Sequence, residues 1–496
     1  MEKYILTIDQ GTTSTRAILF DKNATIVFIA QEEVKCYYPK PGYVEQDAIE
    51  IWLSVLSVIN QVLIKANLTF LNIATIGITN QRETTVVWDK HTGMPVAPAI
   101  VWQSRQSAAL CHERVAYKNL IHQKTGLLIN PYFSASKIRY ILDHIPEGQA
   151  RAERGELLFG TIDTWLIYKL TNETNHLTDV SNASRTMLFN IHDLAWDDEL
   201  LSIFNLPHSM LPKVLASSDD FGTTTFFNTP IPITGVAGDQ QAALFGQMCL
   251  KPGDAKNTYG TGCFMLMNIG NHVQLSENGL LTTVAWKIKD EVTYALEGSV
   301  FIGGAAVQWL RDELKLFKNA SETEKAALEA KSHDNVYFVP AFVGLGTPYW
   351  DDQARGAIFG LTREVSHLEL TRATLEAIAY QSRDVFDVMI KESAQDLKVL
   401  SVDGGASVNR YLMQFQADIL NTSIRVPKIY ETTSLGVCYL AGLYTGFFPS
   451  VKVITKIHEY QTTYTPKMDE QERIKKYRGW QKAVKAVLTF SGKEEE

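Results

Sequence analysis

The amino-acid sequence predicts an α/β protein made of two halves of related architecture that face a shared cleft. Short apolar segments with strand character alternate with helical patterns along the chain. Near the start, the middle and the end, such a segment leads into an aspartate close to a glycine, at Asp9, Asp239 and Asp403. No Pro- or Ser-rich linker separates the halves. We therefore expect two extensively touching domains, residues 1–250 and 251–496.

Length and composition bound the class of protein. A chain of 496 residues is too long for one compact core. Its 45% apolar and 21% charged residues are ordinary globular values, which exclude wholesale disorder, collagen and coiled coil. The formal net charge of −8 gives no reason to expect a nucleic-acid partner or an anionic membrane surface.

Cysteine usage and the N-terminal segment indicate the compartment. The five cysteines are odd in number, widely spaced and without a CxxC pair, which favours reduced thiols over disulfides or a zinc site. The N-terminus carries an early acid and few consecutive apolar residues, unlike a signal peptide. No apolar run approaches the roughly 18 residues that span a bilayer. We expect a cytoplasmic protein without membrane insertion.

The first hundred residues predict a meander followed by a helix and a strand. Segments 4–8, 16–21 and 23–29 are short, apolar and bounded by turn residues, as strands are. Segment 46–67 has apolar residues at helical spacing, and segment 73–79 is a further buried strand.

The remainder continues the alternation. We predict strands at 231–236, 336–343 and 399–402, helices at 366–391 and 435–447, and an exposed helix with a frayed end after residue 468. Glycine-rich turns follow several strands, including 257–262 and 403–409. Each turn alone is weak evidence for nucleotide binding, but five small-residue turns after apolar strands form an informative set.

The turn at residues 9–15 has the composition of a phosphate-binding loop. It contains one glycine and four hydroxyl side chains, and Arg16 follows it. Backbone N–H groups and hydroxyls in a tight turn can converge on phosphate, and Asp9 can hold Mg²⁺ through water. The alternative is a hairpin turn that favours Gly and Thr, and the segment alone leaves both open. No Walker A motif is present.

Two further strand ends carry charged residues. Arg82 offers donors and Glu83 offers acceptors, a combination that suits a vicinal diol, although such a pair is commonly a solvated turn. Asp239 beside a glycine suits a general base, and a helix N-cap is an equally good interpretation. Trp102 lies in an apolar run that by itself indicates a core residue.

The chain resembles the FGGY family of carbohydrate kinases, in the sugar kinase/actin superfamily, and within it the bacterial enzymes that act on glycerol. The resemblance covers essentially the whole chain. It rests on residues 9–16, 78–85, 99–103, 159–165, 184–188, 238–246, 257–264, 354–362 and 402–406.

The resemblance implies two ribonuclease H-like (actin/sugar kinase-like) domains with ATP and substrate in the cleft, and transfer of the ATP γ-phosphate to glycerol. Asp239 is implied as the base, and Asp9 and Asp239 as the Mg²⁺ site. The residues implied to line the glycerol site are Arg82, Glu83, Trp102, Tyr132, Asp239, Gln240 and Phe264. Those implied to bind ATP are Thr12, Thr13, Ser14, Arg16, Thr261, Gly304, Gln308, Gly405 and Asn409.

The resemblance also bears on the oligomeric state, the regulation and the alternative functions of the protein. Family members form dimers and tetramers, so we expect a homodimer or homotetramer. Some relatives are controlled through a basic loop or a phosphorylated histidine, but segment 221–232 contains no His, Lys or Arg, and we expect neither control there. The rival functions are another FGGY kinase, acting on a ketopentose or gluconate, and a non-catalytic actin-like ATPase module.

Overall fold

A computed structural model of the chain describes residues 2–331, 335–351, 353–395 and 397–492. The strands up to residue 250 are β1 (Tyr4–Gln10), β2 (Ser14–Phe20), β3 (Ile26–Glu33), β4 (Glu45–Gln46), β5 (Ile73–Asn80), β6 (Val86–Asp89), β7 (Ala99–Ile100), β8 (Leu157–Gly160), β9 (Leu177–Asp179), β10 (Phe189–Asn190), β11 (Ala195–Trp196), β12 (Lys213–Leu215), β13 (Thr223–Thr224) and β14 (Ile231–Gly238). Those after it are β15 (Ala255–Tyr259), β16 (Cys263–Gly270), β17 (Leu281–Ile288), β18 (Glu291–Val300), β19 (Tyr337–Val339), β20 (Ala357–Phe359), β21 (Val399–Asp403), β22 (Ser423–Pro427) and β23 (Tyr460–Tyr464).

Helices connect and cover these strands. They are α1 (Ala48–Ala66), α2 (Ala108–His112), α3 (Lys118–Thr125), α4 (Ser134–His144), α5 (Gly148–Glu153), α6 (Ile162–Leu170), α7 (Val180–Ala183), α8 (Asp198–Phe204), α9 (Asp239–Gly246), α10 (Gly304–Asp312), α11 (Glu322–Glu329), α12 (His367–Ser393), α13 (Arg410–Leu420), α14 (Thr432–Thr445), α15 (Val451–Ile457) and α16 (Glu470–Phe490). Short 3₁₀ turns lie at Phe70–Asn72, Val115–Tyr117, His208–Met210 and Gly405–Val408.

Two mixed sheets organise the molecule. The first has the order β13–β14–β5–β1–β2–β3, and the second β17–β18–β16–β15–β21–β22–β23. In each, an antiparallel hairpin opens the sheet, and parallel strands extend it on the other side. The parallel strands are nearly continuous apolar runs because both of their faces are covered. The predicted α/β architecture with two related sheets is confirmed.

Two helices join the sheets. Helix α9 leaves the end of β14, and α14 comes nearly at the end of the second sheet's chain. They pack against each other, and α14 also packs on β14, β5 and β1 of the first sheet. A shared apolar cluster surrounds them, with Ile5 and Ile18 from the first sheet and Leu266 from the second. The sheets are therefore held by a common core rather than by a linker.

Most predicted elements lie within a few residues of the observed ones, but one strand is much shorter. Segment 336–343 was predicted as a strand, and only Tyr337–Val339 is one. Beyond it the chain turns, with backbone bonds from Ala341 N to the Val339 carbonyl and from Phe342 N to the Pro340 carbonyl. An apolar run in a buried turn has the same composition as a buried strand, which explains the error.

Helix α1 is long and apolar enough to cross a membrane by length and composition, and it is the one such helix in the described part of the chain. Half of the residues in its apolar stretch are buried inside the protein, against β3 and β2. It is therefore packed as a core helix of the first sheet, although Leu53 on its outer face is 56% exposed. All five cysteines are free thiols.

The C-terminal helix α16 is not the exposed helix that the sequence predicted. Trp480 is fully buried, stacks on Tyr380 with ring centroids 5.4 Å apart, and donates from Nε1 to Asp384 Oδ2 at 2.8 Å. Tyr477 donates to the other oxygen of Asp384 at 2.6 Å. Burial outweighs these hydrogen bonds and raises the pKa of Asp384 to about 7. The apolar face of α16 thus covers α12, and the predicted frayed end at 493–496 lies outside the described residues.

Replacing Trp480 should test this docking. Trp480→Ala removes a buried ring and leaves Asp384 short of a donor, so we expect a loss of roughly 3 to 5 kcal/mol in stability. Phe490→Ala is the matched control, because Phe490 lies on the same helix and is 89% exposed; it should change stability by less than about 0.5 kcal/mol. Thermal and denaturant unfolding followed by circular dichroism measure both. Equal shifts in the two variants would contradict the docking.

Candidate active site

Three neighbouring parallel strands of the first sheet end at one edge, and each presents a predicted site residue there. Asp9 on β1 pairs with Thr79 on β5, and Ala237 on β14 pairs with the same residue. Arg82 follows β5 by two residues, and Asp239 follows β14 directly. The carboxyl edge of the sheet therefore gathers these side chains, as expected for a ligand site in an open α/β sheet.

Arg82 and Asp239 belong to a buried chain of alternating charges. Arg82 Nε lies 3.3 Å from Asp239 Oδ1, and its two Nη atoms donate to Glu297 at 2.6 and 3.0 Å. Arg185 donates to Glu297 at 2.9 Å and to Glu83 at 2.7 Å. The order is thus Asp239, Arg82, Glu297, Arg185, Glu83, and Glu83 Oε1 also lies 3.8 Å from Arg82 Nε. Each carboxylate except the terminal Asp239 is enclosed with its partner arginines away from water.

The fork of donors of Arg82 has a protein partner that the sequence did not indicate. It grips Glu297 on β18 of the second sheet, and contact of Arg82 with a diol stays a prediction. Arg82 also donates to the Tyr132 hydroxyl at 3.3 Å and to Gln241 at 3.1 Å. Its guanidinium is therefore a fixed hub, which orients the groups around it.

Burial and neighbouring charges shift the pKa values of Glu297 and Glu83 in opposite directions. Burial raises the pKa of Glu297, but Arg185 and Arg82 outweigh it and hold that pKa at about 2. Burial also raises the pKa of Glu83, and there Arg82 and Arg185 do not fully compensate. Glu83 is the central residue of a γ-turn with φ of 60°, closed by a bond from Thr84 N to the Arg82 carbonyl. This backbone costs about 1 kcal/mol or more, and it directs the carboxylate towards Arg185.

Aromatic side chains from both sheets form one wall of the site. The ring centroids of Trp102 and Tyr132 are 5.6 Å apart, and those of Trp102 and Phe264 are 6.2 Å apart, both edge-to-face. Phe264 lies on β16, so the second sheet contributes directly. Trp102 is partly exposed at this position rather than part of a core, so the structure favours the ligand-wall interpretation of this residue over the core one.

The turn between β1 and β2 faces the same space. Trp102 Nε1 donates to the Thr12 hydroxyl at 2.8 Å, which ties the aromatic wall to this turn. Thr13 is exposed and Ser14 begins β2. Arg16 donates to Glu431 at 2.9 Å, and Glu431 directly precedes α14. Hydroxyl groups and a guanidinium thus lie along this turn and the strand that follows it, and groups of these types can bind phosphate.

Asp9 has acceptor capacity to spare. Its carboxylate is buried and accepts a long bond of 3.5 Å from the Ser434 hydroxyl. Burial raises the pKa of Asp9 to about 7; Arg16 opposes the rise, and Glu431 and Asp239 add to it. In the described part of the chain, no group of three or more His, Cys, Asp or Glu residues is arranged to hold a metal. A Mg²⁺ site does not need such a group, because Mg²⁺ takes one or two carboxylates and completes its coordination shell with water and phosphate.

The predicted nucleotide residues meet at the corresponding edge of the second sheet. Thr258 on β15 pairs with Asp403 on β21, so the turns after these strands are adjacent. The carbonyl of Thr261 accepts from Gly303 N and Ala305 N at 2.8 and 3.1 Å, which docks this turn on the start of α10. That helix carries Gly304 and Gln308, and the neighbouring turn carries Gly405 and Asn409. Asn409 caps α13 by accepting from Leu412 N.

Close backbone approach explains one glycine here. Gly404 has φ of 87°, and a Cβ at this position would lie 2.5 Å from the Tyr259 carbonyl oxygen. A larger residue would push the two turns apart.

Sequence reasoning missed four charged or polar partners of the site. Arg185 lies in segment 184–188, which carries the family resemblance but no assigned role, and no motif contains Glu297, Lys256 or Lys137. Lys137 donates to the carbonyls of residues 131 to 133, which fixes the turn that carries Tyr132. Burial lowers the pKa of Lys137 to about 7. Only Glu297, a single carboxylate in a mostly apolar part of β18, carried a local signal, and that signal does not identify its partners.

The comparisons with known proteins agree with this geometry. Residues 4–246 match the N-terminal domain of the FGGY family of carbohydrate kinases, and residues 255–444 match its C-terminal domain. The chain belongs to the FGGY family of carbohydrate kinases. A glycerol kinase from Bacillus licheniformis is 58% identical over 495 residues, which cover 99% of this chain and 100% of the relative. A glycerol kinase from Lactobacillus acidophilus is 55% identical, with 99% of each chain covered.

Solved structures place this FGGY kinase among two-domain sugar kinases. The crystal structure of Plasmodium falciparum glycerol kinase with ADP matches with a TM-score of 0.91 and 39% identity, covering 98% of each chain. A ligand-bound xylulose kinase from Lactobacillus acidophilus has a TM-score of 0.88 at 23% identity, with 99% of each chain covered, and shows the shared fold alone. The ribonuclease H-like architecture with a cleft between two sheets is thereby confirmed.

The buried charges of this FGGY kinase can be tested at Glu297. Glu297→Gln keeps the side-chain shape but leaves Arg82 and Arg185 facing fewer negative charges away from water, so we expect a loss of roughly 3 to 5 kcal/mol in stability. Glu291→Gln on the same strand is the control, because Glu291 is exposed. Differential scanning calorimetry measures both. A Glu297→Gln protein as stable as the Glu291→Gln protein would show that the charge chain does not support the fold.

Proposed function

We propose that the chain is an ATP-dependent glycerol kinase, which transfers the γ-phosphate of ATP to glycerol and yields sn-glycerol 3-phosphate and ADP. The observation that carries the proposal is the full-length identity of 58% with a curated glycerol kinase. The structure of a relative with ADP bound supports a nucleotide as the second substrate. The site is compatible with both substrates.

The glycerol side is supported by the buried polar cluster beside the aromatic wall. Glu83 and Tyr132 offer an acceptor and a hydroxyl, and Asp239 is 31% exposed towards the cleft. Trp102 and Phe264 lie where they would pack on the carbon chain of a small polyol. A vicinal diol needs donors and acceptors in one place, and this cluster supplies them within an apolar enclosure. Gln240 follows Asp239 and completes the polar side.

Asp239 is the proposed general base. It lies at the N-terminus of α9, and its Oδ1 accepts from Gln240 N at 2.8 Å, so the side chain is held in place. Arg82 Nε lies 3.3 Å from the same oxygen and further fixes the carboxylate, which would accept the proton from the attacking hydroxyl. Asp239 is the first residue of α9, whose N-cap is Gly238, so the N-cap interpretation of Asp239 is wrong and the base is the role proposed for it.

The proposed phosphate side consists of Thr12, Thr13, Ser14 and Arg16. Asp9 and Asp239 would hold Mg²⁺, and the spare acceptor capacity of the Asp9 carboxylate fits a cation. When bound, Mg²⁺ neutralises charge on the phosphates. Thr261, Gly304, Gln308, Gly405 and Asn409 would line the nucleotide at the edge of the second sheet. Phosphoryl transfer needs mainly positioning and exclusion of water, which two sheets facing one cleft can supply on closure.

The domain boundary, cellular location, oligomeric state and regulation belong to the same proposal. We place the boundary between the two kinase domains near residue 250, assign the protein to the cytoplasm, and expect a homodimer or homotetramer. The absence of basic residues from segment 221–232 supports an enzyme without control through that loop. Inhibition by fructose 1,6-bisphosphate through this segment would contradict that last point.

Asp239→Asn should separate chemistry from binding. The amide cannot accept the hydroxyl proton, so kcat should fall by roughly two to four orders of magnitude. Binding of ATP, measured by calorimetry, should persist. Asp290→Asn is the matched control, since Asp290 is exposed on a turn, and it should keep full activity. Retention of most activity by Asp239→Asn would remove this residue from the catalytic role.

The substrate class is tested by a coupled assay of ADP release with Mg·ATP. The panel is glycerol, dihydroxyacetone, xylulose and gluconate. A strong response to glycerol supports the proposal. Turnover of xylulose or gluconate without glycerol turnover would instead favour another FGGY kinase and a different use of the aromatic wall. ATP binding without stimulation by any of them would favour a non-catalytic ATPase module.

A further inference from the structure

A buried lysine connects the second sheet to the proposed base. Lys256 lies on β15 and is fully buried. Its Nζ donates to Gln240 Oε1 at 2.5 Å, to the Thr258 hydroxyl at 2.8 Å and to the Phe264 carbonyl at 3.3 Å. Gln240 in turn donates from Nε2 to Asp239 Oδ2 at 3.2 Å. A continuous path of hydrogen bonds therefore runs from Lys256 through Gln240 to Asp239.

The chemistry of the lysine decides which way the amide of Gln240 points. The two ends of a glutamine amide have nearly the same shape, so the fold alone does not distinguish them. A charged ammonium donates three hydrogen bonds and accepts none. The amide oxygen must therefore face Lys256, which leaves the NH₂ group to face the carboxylate of Asp239. A flipped amide would place its oxygen against that carboxylate.

We propose that Lys256 is a positioning residue, which fixes the side-chain amide of Gln240 so that its N–H holds the second oxygen of Asp239. With Oδ1 already bonded to Gln240 N and near Arg82, this contact would set the plane of the carboxylate towards the attacking hydroxyl. The inference rests on the proposed function, because it concerns the base of that reaction. Nothing in it requires Lys256 to touch glycerol or ATP.

Burial opposes the charge on Lys256, and nearby carboxylates partly restore it. Burial lowers the pKa of Lys256 to about 8, and among its charged neighbours Asp403, Asp239 and Glu297 oppose this whereas Arg82 reinforces it. The ammonium form therefore predominates at neutral pH, where it acts only as a donor. Because Lys256 also holds the Phe264 carbonyl, one side chain of the second sheet fixes both the base and part of the aromatic wall.

The test is a double-mutant cycle with Lys256→Met, Gln240→Met and the double variant. Loss of the lysine frees the amide to rotate, so kcat should fall roughly ten- to a hundredfold, the range that misplacement of a reacting group produces. The KM for ATP should change by less than about threefold, because no nucleotide contact is removed. The double variant should lie within about threefold of the worse single variant, since the two residues act as one unit. Lys22→Met, at an exposed turn, is the control.

A further variant covers the case in which Lys256→Met does not fold. Gln240→Glu keeps an acceptor for Lys256 but removes the N–H donor to Asp239. This protein should still fold, because the contact with Lys256 remains, but a carboxylate oxygen now faces Asp239, so it should lose roughly tenfold or more in kcat, the range for a misplaced reacting group. Full activity of Gln240→Glu would overturn the inference, and so would wild-type activity of Lys256→Met. It would also be overturned if the loss of kcat in the double variant equalled the product of the two single losses. Glycerol turnover by the wild type distinguishes these outcomes from failure of the proposed function, because its absence would overturn the function itself.

Discussion

The bidentate grip of Arg82 on Glu297 is the interaction on which the rest of the site depends. Two arginines and two glutamates are removed from water here, and such groups are tolerated only when every charge is paired in good geometry. The alternation satisfies this requirement and makes each member rigid. Because Glu297 comes from the second sheet and the arginines from the chain around the first, the same pairing that neutralises the charges also holds the sheets in register. The side chains proposed to hold the substrate are thus fixed by a structure that extends well behind them.

Much of this fold could be read from the sequence because its strands are buried on both faces. Continuous apolar runs ending in Gly and Asp gave the strand ends, and the strand ends gave Asp9, Arg82 and Asp239. The resemblance to the FGGY family added Trp102 and Phe264, which local pattern alone assigns to a core. The turn after β19 was predicted as a strand, because apolar composition does not distinguish a strand from a packed turn. The buried face of α16 was missed, because Lys and Glu dominate the helix and only the row of Tyr477, Trp480 and Val484 is buried.

Glu297 and Lys256 could not be found in this way. Each is a single charged residue within a strand. Arg82 is 215 positions from Glu297, and Gln240, which Lys256 contacts, lies in a different element, helix α9. Periodicity reports local structure, and no local pattern says which distant charge will be buried beside another. The two residues have a common feature once the structure is known. Both belong to the second sheet and both fix groups of the first, so the sheet assigned to the nucleotide also sets the geometry of the polyol side.

Helix α14 has a consequence for how the protein is made. It packs on β14, β5 and β1, although it follows α9 in the chain by roughly 200 residues. During synthesis at roughly 5 to 20 residues per second, the first sheet would wait roughly 10 to 40 seconds for this helix. Over that interval Ile5 and Ile18, which α14 and α9 help to cover, have no complete partner surface. The nascent first half therefore presents an apolar face to chaperones. A chain released before residue 445 would lack part of α14, so the apolar face of its first strands would stay uncovered.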